Sequence, residues 1–161
     1  MPPPLLIDID SIDLDRVLCT REEIYTRLPQ AHEFRTLDGV CYMNAERGEI
    51  IAFRDVRADE WWCRGHLPGR PIFPGILQLE SAAQVAAFFS KYNSSFDGFV
   101  AFGGVDQCKF REAVLPPARI YYLCRKQQER SRRVVCATQG VVNRAVVFEA
   151  IVTGMVVPHF R

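Results

Sequence analysis

One segment of this 161-residue chain is an apolar helix without a polar face, set among β-strands. Residues 74–89 are rich in Ala and Leu, with no Pro or Gly beyond Pro74 and Gly75. This composition predicts a helix with Pro74 near its first turn. Its apolar residues go almost all the way round, so it must be buried on most sides. The rest of the chain must therefore enclose it.

Strand-like segments stand on both sides of this helix in the sequence. Two of them, 40–46 and 49–56, are joined at Arg47-Gly48 and predict a hairpin. Four more are rich in Val, Ile, Phe and Tyr and are separated by turn-like residues: 99–110, 120–128, 133–142 and 145–156. Long strands with short connections predict a meandering, mostly antiparallel sheet. One sheet curled around one central helix satisfies both predictions, so we expect an α+β chain with the hot-dog fold.

The chain is expected to form a single domain over residues 1–161. It contains no internal repeat, low-complexity linker or change in composition that would mark a boundary. Residues 1–15 predict an irregular N-terminal arm. Thr20 and Glu23 then form a capping-box pattern, which predicts a short helix that runs to about Leu28.

Composition and charge narrow the possible functions. The formal net charge is +1 with both signs scattered, whereas a nucleic-acid binder needs a sustained basic face. No run approaches the roughly 18 apolar residues of a membrane span, and the start lacks the features of a secretory signal. The six cysteines include no Cys-x-x-Cys pair, so we expect reduced thiols and a cytoplasmic location.

Two polar residues of the helix and one loop histidine are candidates for chemistry. Glu80 and Gln84 are four residues apart and therefore share a helix face. Burial of a carboxylate is costly unless it is paired or protonated, so Glu80 has either a function or a route to solvent or to a partner. The preceding loop, 61–75, holds three Pro and three Gly around His66. Such a loop can approach a ligand closely, although a lone loop histidine is also common as a packing residue.

Residues 65–84 read Gly-His-Leu-Pro-Gly-Arg-Pro-Ile-Phe-Pro-Gly-Ile-Leu-Gln-Leu-Glu-Ser-Ala-Ala-Gln. This run resembles the signature of the beta-hydroxyacyl–acyl carrier protein dehydratases of fatty acid synthesis. That signature is Gly-His-Phe-Pro-Gly-x-Pro, then Pro-Gly-Val-Leu, then Glu-Ala-x-Ala-Gln. The resemblance covers nearly the whole chain, through Leu28-Pro29, residues 34–40, residues 109–114 and the C-terminal hairpin.

The resemblance implies a hydro-lyase that converts a 3-hydroxyacyl thioester into the trans-2-enoyl thioester. By position, the family's catalytic histidine falls on His66 and its catalytic acid on Glu80. Gln84 matches the family's helix glutamine, and Gly75 matches the residue whose backbone N–H faces the thioester carbonyl. A sister class, the hydroxydecanoyl thioester dehydratase-isomerases, has Asp at the acid position, so Glu80 favours the plain dehydratase. We expect a substrate linked to acyl carrier protein or coenzyme A, and no cofactor or metal.

The chemistry of dehydration fits these residue types. A neutral imidazole can remove the weakly acidic proton next to the thioester carbonyl at neutral pH. A carboxylic acid kept protonated by apolar surroundings can protonate the departing hydroxide. The amide of Gly75, at a helix N-terminus, would meet the negative charge that develops on the thioester oxygen.

The sequence departs from the family at several places, which suggests a divergent member. Leu67 replaces the Phe after the histidine, and Cys63 replaces an aromatic residue three positions before it. Gln30-Ala31 replaces the His-Arg of the family's Leu-Pro-His-Arg, and Pro116-Pro117-Ala118 replaces a Pro-Gly-Asp turn. Leu67 and Cys63 border the site and so bear on substrate range and rate.

Two other functions stay open at this stage. A hot-dog thioesterase typically uses a helix carboxylate but needs no loop histidine, so the complete motif around His66 weighs against it. A non-catalytic acyl-thioester-binding protein is disfavoured by the intact pair of His66 and Glu80. Cys63 and His66 alone make a poor zinc site, and no base is marked that would activate Cys63 as a nucleophile.

The sequence also predicts two kinds of partner, a carrier protein and a second copy of the chain. Four cations near the motif could dock an acidic carrier protein: Arg64, Arg70, Lys109 and Arg111. A second cluster is either a solvated turn or an extension of that docking patch: Lys126, Arg130, Arg132 and Arg133. We also expect a homodimer, or a trimer of such dimers, in which His66 of one chain meets Glu80 of the other.

Overall fold

The computed structural model describes residues 3–94 and 96–158. Its elements are β1 (Cys19–Thr20), α1 (Arg21–Tyr25), a 3₁₀ turn (His32–Phe34), β2 (Gly39–Asn44), β3 (Glu49–Val56), α2 (Gly75–Tyr92), β4 (Phe99–Phe110), β5 (Ala118–Arg130), β6 (Arg133–Val142) and β7 (Ala145–Val157). The predicted strands agree with these bounds to within two residues, and the long helix ends three residues later than predicted. The short helix α1 ends at Tyr25, earlier than predicted, and its capping box is present.

The strands form one antiparallel sheet in the order β1-β2-β3-β5-β6-β7-β4. The prediction of an antiparallel sheet is confirmed, but the simple meander is wrong, because β4 pairs with β7 and with neither of its neighbours in sequence. The reason is the length of α2. Its 18 residues span about 27 Å, enough to carry the chain past three strands spaced about 4.8 Å apart.

The sheet curls around α2, which confirms the predicted hot-dog fold. Most residues of α2 between Gln78 and Ser90 are buried, as the all-round apolar character of the helix predicts. It packs into one core with large side chains of the sheet and of the preceding loop, among them Trp62, Phe73, Tyr122 and Phe148. Ile76, in the first turn, is an exception at 69% exposed.

The N-terminal arm covers the outer face of the sheet. Its described residues, 3–15, contain neither helix nor strand, and Met1 and Pro2 lie outside the described residues. Ile7 and Ile9 are buried in a second apolar cluster with side chains of the outer face. The side chain of Gln139 secures the arm by accepting from the Leu6 amide at 2.7 Å and donating to the Pro4 carbonyl at 3.0 Å.

All six cysteines are free thiols, and four of them are buried. None of the described helices is long and apolar enough to span a bilayer.

Candidate active site

His66 lies in the loop between β3 and α2, and the backbone of that loop sets its orientation. The Trp62 carbonyl accepts from the His66 amide at 2.8 Å, and the Trp62 ring packs against Phe73 with centroids 5.3 Å apart. The His66 Nδ1 atom is 2.8 Å from the carbonyl oxygen of Ile72. Because a carbonyl can only accept, Nδ1 carries a hydrogen, and the neutral ring presents an unprotonated Nε2. The loop therefore provides a candidate general base.

The cavity beside His66 includes the N-terminus of α2. Gly75 is the first residue of this helix, where backbone N–H groups lack helical acceptors and the helix dipole is positive. Phe110 covers Gly75 so closely that a Cβ atom there would lie 2.8 Å from the Phe110 ring. A glycine is required for this contact. The cavity thus combines a base with a site for developing negative charge.

Glu80 and Gln84 line a different cavity, between α2 and the sheet. Gln30, at the position of a His in the family that the sequence resembles, lines the same cavity. Most of the other lining residues are small or apolar and are contributed by both α2 and the sheet: Ala83, Ala86, Ala87, Val100, Phe102, Val134, Val152 and Gly154. The arrangement suits a ligand with a polar head and an apolar tail.

A chain of hydrogen bonds holds the Glu80 carboxyl. The Gln84 amide nitrogen donates to Glu80 Oε1 at 2.7 Å and to the Phe34 carbonyl at 2.8 Å. Its amide oxygen accepts from the Tyr25 hydroxyl at 2.6 Å, and that hydroxyl accepts from the Leu37 amide at 2.8 Å. Glu80 is partly buried and Gln84 is fully buried. The carboxyl of Glu80 is therefore held in a fixed orientation.

Sequence reasoning missed Tyr25. It lies 59 residues before Gln84 along the chain, and no motif connects the two. Burial raises the pKa of Tyr25 to about 12, so its hydroxyl keeps its hydrogen at physiological pH. A tyrosine near the end of a short amphipathic helix is an ordinary packing residue, so only the fold reveals its contact with Gln84.

Within one chain, the structure does not bring His66 and Glu80 together. The cavity beside His66 and the cavity beside Glu80 have no lining residue in common. Gly75 accompanies His66, whereas Gln84 accompanies Glu80. Each cavity thus holds one half of the predicted acid–base chemistry.

The candidate docking cations fall into two pairs. Lys109 and Arg111 both form ion pairs with Glu149. Arg64 and Arg70 are exposed and make no ion pair within the part of the chain that the structure describes. Free cations attract an acidic partner better than neutralised ones, so Arg64 and Arg70 are the stronger candidates.

In the second cluster of cations, Lys126 pairs with Glu129, and three arginines at the β5–β6 turn are exposed: Arg130, Arg132 and Arg133.

Cys63 is partly buried, and its Sγ donates to the Arg57 carbonyl at 3.4 Å. Leu67, the other departure near the motif, is 50% exposed on the loop surface. Across residues 3–94 and 96–158, no group of three or more His, Cys, Asp or Glu side chains is placed to hold a metal ion.

Comparisons with known proteins identify the family and support the fold. A family model described as a FabA-like domain matches residues 28–151. The 3-hydroxyacyl-acyl-carrier-protein dehydratase FabZ of Desulfotalea psychrophila is 30% identical over 126 residues, which are 76% of this chain and 83% of that protein. Among solved structures, the dehydratase heterocomplex ApeI:P of Xenorhabdus doucetiae aligns with a TM-score of 0.71 at 11% identity, covering 83% of this chain and 90% of the other. A hypothetical thioesterase protein with coenzyme A from Streptococcus pneumoniae aligns with a TM-score of 0.57 at 10% identity, covering 85% and 93%. At these identities the two structures support the fold alone.

Proposed function

The chain belongs to the FabA-like family, and from this membership we propose that it is a 3-hydroxyacyl–acyl carrier protein dehydratase. The carrying observation is its similarity to a FabZ dehydratase across 83% of that enzyme's length. The reaction removes water from the 3-hydroxyacyl thioester and leaves the trans-2-enoyl thioester.

We assign the proton transfers to His66 and Glu80. His66 Nε2 removes a proton from C2, and the resulting charge on the thioester oxygen is stabilised by the Gly75 amide and the N-terminus of α2. The C2–C3 double bond forms as the C3–O bond breaks. Glu80 donates a proton to the departing hydroxyl, which leaves as water. Transfer of the proton on His66 back to the Glu80 carboxylate restores both groups. The hydrogen bond from His66 to the Ile72 carbonyl supports the role of Nε2 as the base.

We further propose that the working enzyme is a homodimer that joins His66 of one chain to Glu80 of the other. The separate cavities of His66 and Glu80 support this arrangement. Strand β4 is an edge strand of the sheet, and unpaired edges favour pairing with another chain. Large apolar side chains are exposed on β4 and on the first turn of α2: Ile76, Phe102, Val105 and Phe110. Pairing two copies would cover this surface.

The substrate carrier and the cellular location complete the proposal. We propose an acidic acyl carrier protein as the carrier, because Arg64 and Arg70 are exposed cations that make no ion pair among the described residues and would attract it. Coenzyme A is the alternative carrier. The six free thiols support a reducing, cytoplasmic location.

A spectrophotometric assay of the purified protein with crotonyl and longer enoyl thioesters tests the proposal. A dehydratase catalyses the reverse reaction, so the enoyl absorbance should fall while no free thiol is released. Release of thiol without hydration would instead identify a thioesterase. Ligand binding without either reaction would identify a non-catalytic acyl-thioester-binding protein.

A further inference from the structure

We propose that Tyr25 is a positioning residue of the active site, which acts through Gln84 to fix the oxygen of Glu80 that carries the catalytic proton. The inference rests on the proposed dehydratase function and adds a residue outside the signature motif. It also assigns separate tasks to the two carboxyl oxygens of Glu80.

The first step is the orientation of the Tyr25 hydroxyl. The Leu37 amide can only donate, so its 2.8 Å contact uses the hydroxyl oxygen as an acceptor. The single hydroxyl hydrogen then points to the Gln84 amide oxygen, 2.6 Å away. Because burial raises the pKa of Tyr25 to about 12, this hydrogen is present throughout the working pH range.

The second step is the orientation of the Gln84 amide. An atom that accepts from Tyr25 must be the amide oxygen, which places the NH₂ group on the opposite side. One N–H donates to the Phe34 carbonyl at 2.8 Å, and a carbonyl can only accept. Two obligatory backbone groups, the Leu37 N–H and the Phe34 C=O, therefore require the same amide orientation independently.

The third step concerns Glu80. The remaining Gln84 N–H donates to Glu80 Oε1 at 2.7 Å, so Oε1 acts as an acceptor in either protonation state. In a protonated carboxyl the carbonyl oxygen is the better acceptor, so this contact favours the hydrogen on Oε2. The backbone thus selects, through Tyr25 and Gln84, the oxygen that delivers the proton to the leaving hydroxyl.

Without the Tyr25 hydroxyl, the Gln84 oxygen loses its donor, and the Phe34 carbonyl alone then favours this orientation of the amide. The rotated orientation therefore becomes more populated. A rotated amide would present its oxygen to Glu80 and compete for the catalytic hydrogen. The loss should appear in the chemical step rather than in substrate binding, since Tyr25 is 8% exposed and does not line the cavity of Glu80.

A double-mutant cycle on the full-length enzyme tests this inference. Tyr25→Phe should lower kcat about tenfold, with KM changed by less than about threefold, the effect of one lost hydrogen bond in a network. Gln84→Met removes both the amide oxygen and the amide NH₂ group and keeps a side chain of similar length. In that background Tyr25→Phe should have no further effect on kcat, because residues acting through one another are non-additive.

Tyr42→Phe is the matched control. Its hydroxyl also donates to a carboxylate, Glu49 Oε2 at 3.3 Å, but in the β2–β3 hairpin away from both cavities. It should leave kcat unchanged. Additive losses from Tyr25→Phe and Gln84→Met, or an equal change in KM and kcat, would overturn the positioning role.

A second readout does not depend on turnover. The side-chain NH₂ protons of Gln84, followed by NMR in the wild-type protein, should exchange slowly and shift on Tyr25→Phe but not on Tyr42→Phe. If the Gln84 protons do not shift on Tyr25→Phe, the contact between Tyr25 and Gln84 is refuted even when the wild-type protein is an active dehydratase. If they shift but the wild-type protein has no dehydratase activity, only the proposed function is refuted. If Tyr25→Phe fails to fold, 3-fluorotyrosine placed at position 25 alone keeps the side chain's shape and should still shift these protons.

Discussion

The Nδ1 atom of His66 lies 2.8 Å from the carbonyl oxygen of Ile72, and this contact fixes the tautomer of the ring. The backbone of the loop that carries His66 thereby leaves Nε2 free to act as the base. Ile72 is held close to the turn at Arg70, whose carbonyl accepts from the Ile72 amide at 2.7 Å. The next amide, that of Phe73, donates to the Val114 carbonyl at 2.7 Å. Ring orientation and loop conformation are therefore coupled.

The first prediction concerns the acid–base pair. His66→Ala and Glu80→Gln should each lower turnover by about 10²- to 10⁴-fold, since each removes a proton-transfer group. Both side chains are only partly buried in one chain, so the circular dichroism spectrum should be unchanged. Steady-state hydration of an enoyl thioester measures the loss. A variant that folds and keeps a near-wild-type rate would remove that residue from the mechanism.

The second prediction concerns Gly75. Gly75→Ala places a Cβ atom 2.8 Å from the Phe110 ring, so either the ring or the first turn of α2 must move. We expect kcat/KM to fall by about 10- to 100-fold, because the Gly75 amide then no longer faces the thioester oxygen. Phe110→Leu gives the new methyl group room. Adding it to Gly75→Ala should recover part of the rate, whereas no recovery would mean that the loss does not come from this clash.

The third prediction concerns docking of the carrier protein. Arg64→Glu with Arg70→Glu should reduce kcat/KM for a carrier-linked substrate while leaving a short pantetheine thioester unaffected. Exposed charges mainly steer encounter, so the wild-type preference for the carrier should weaken as salt is raised. Arg144→Glu is the control, because Arg144 pairs with Asp10 and lines neither the cavity of His66 nor that of Glu80. An unchanged kcat/KM of the Arg64/Arg70 variant on the carrier-linked substrate would exclude docking at these residues.

Much of the fold could be predicted from the sequence because its determinants are local. The all-round apolar character of residues 74–89 requires enclosure, and the strand boundaries follow turn residues such as Gly48 and Asn143. The pairing of β4 with β7 could not be predicted in this way. It depends on how far α2 carries the chain across the sheet, which is a property of the assembled layers.

The active site shows the same division between local determinants and contacts that form only in the folded chain. The motif predicted His66, Gly75, Glu80 and Gln84 because their spacing is fixed within one loop and one helix. Tyr25 and the Phe34 carbonyl reach Gln84 only after the chain has folded back over α2. The neutralisation of Lys109 and Arg111 by Glu149 depends likewise on the β4–β7 pairing, in which Lys109 lies opposite Glu149.

The last prediction tests the shared site by complementation. His66→Ala and Glu80→Gln chains are each expected to be inactive alone. In a mixed dimer, one site carries both lesions and the other carries neither. Random pairing of equal amounts makes half of the dimers mixed, so roughly a quarter of all sites should recover activity after the two chains are refolded together. Mass spectrometry of the refolded sample verifies that mixed dimers are present, and a sample of His66→Ala chains refolded alone is the control. Mixed dimers without activity would place His66 and Glu80 in the same site of one chain, and the two separate cavities would then require a rearrangement within that chain.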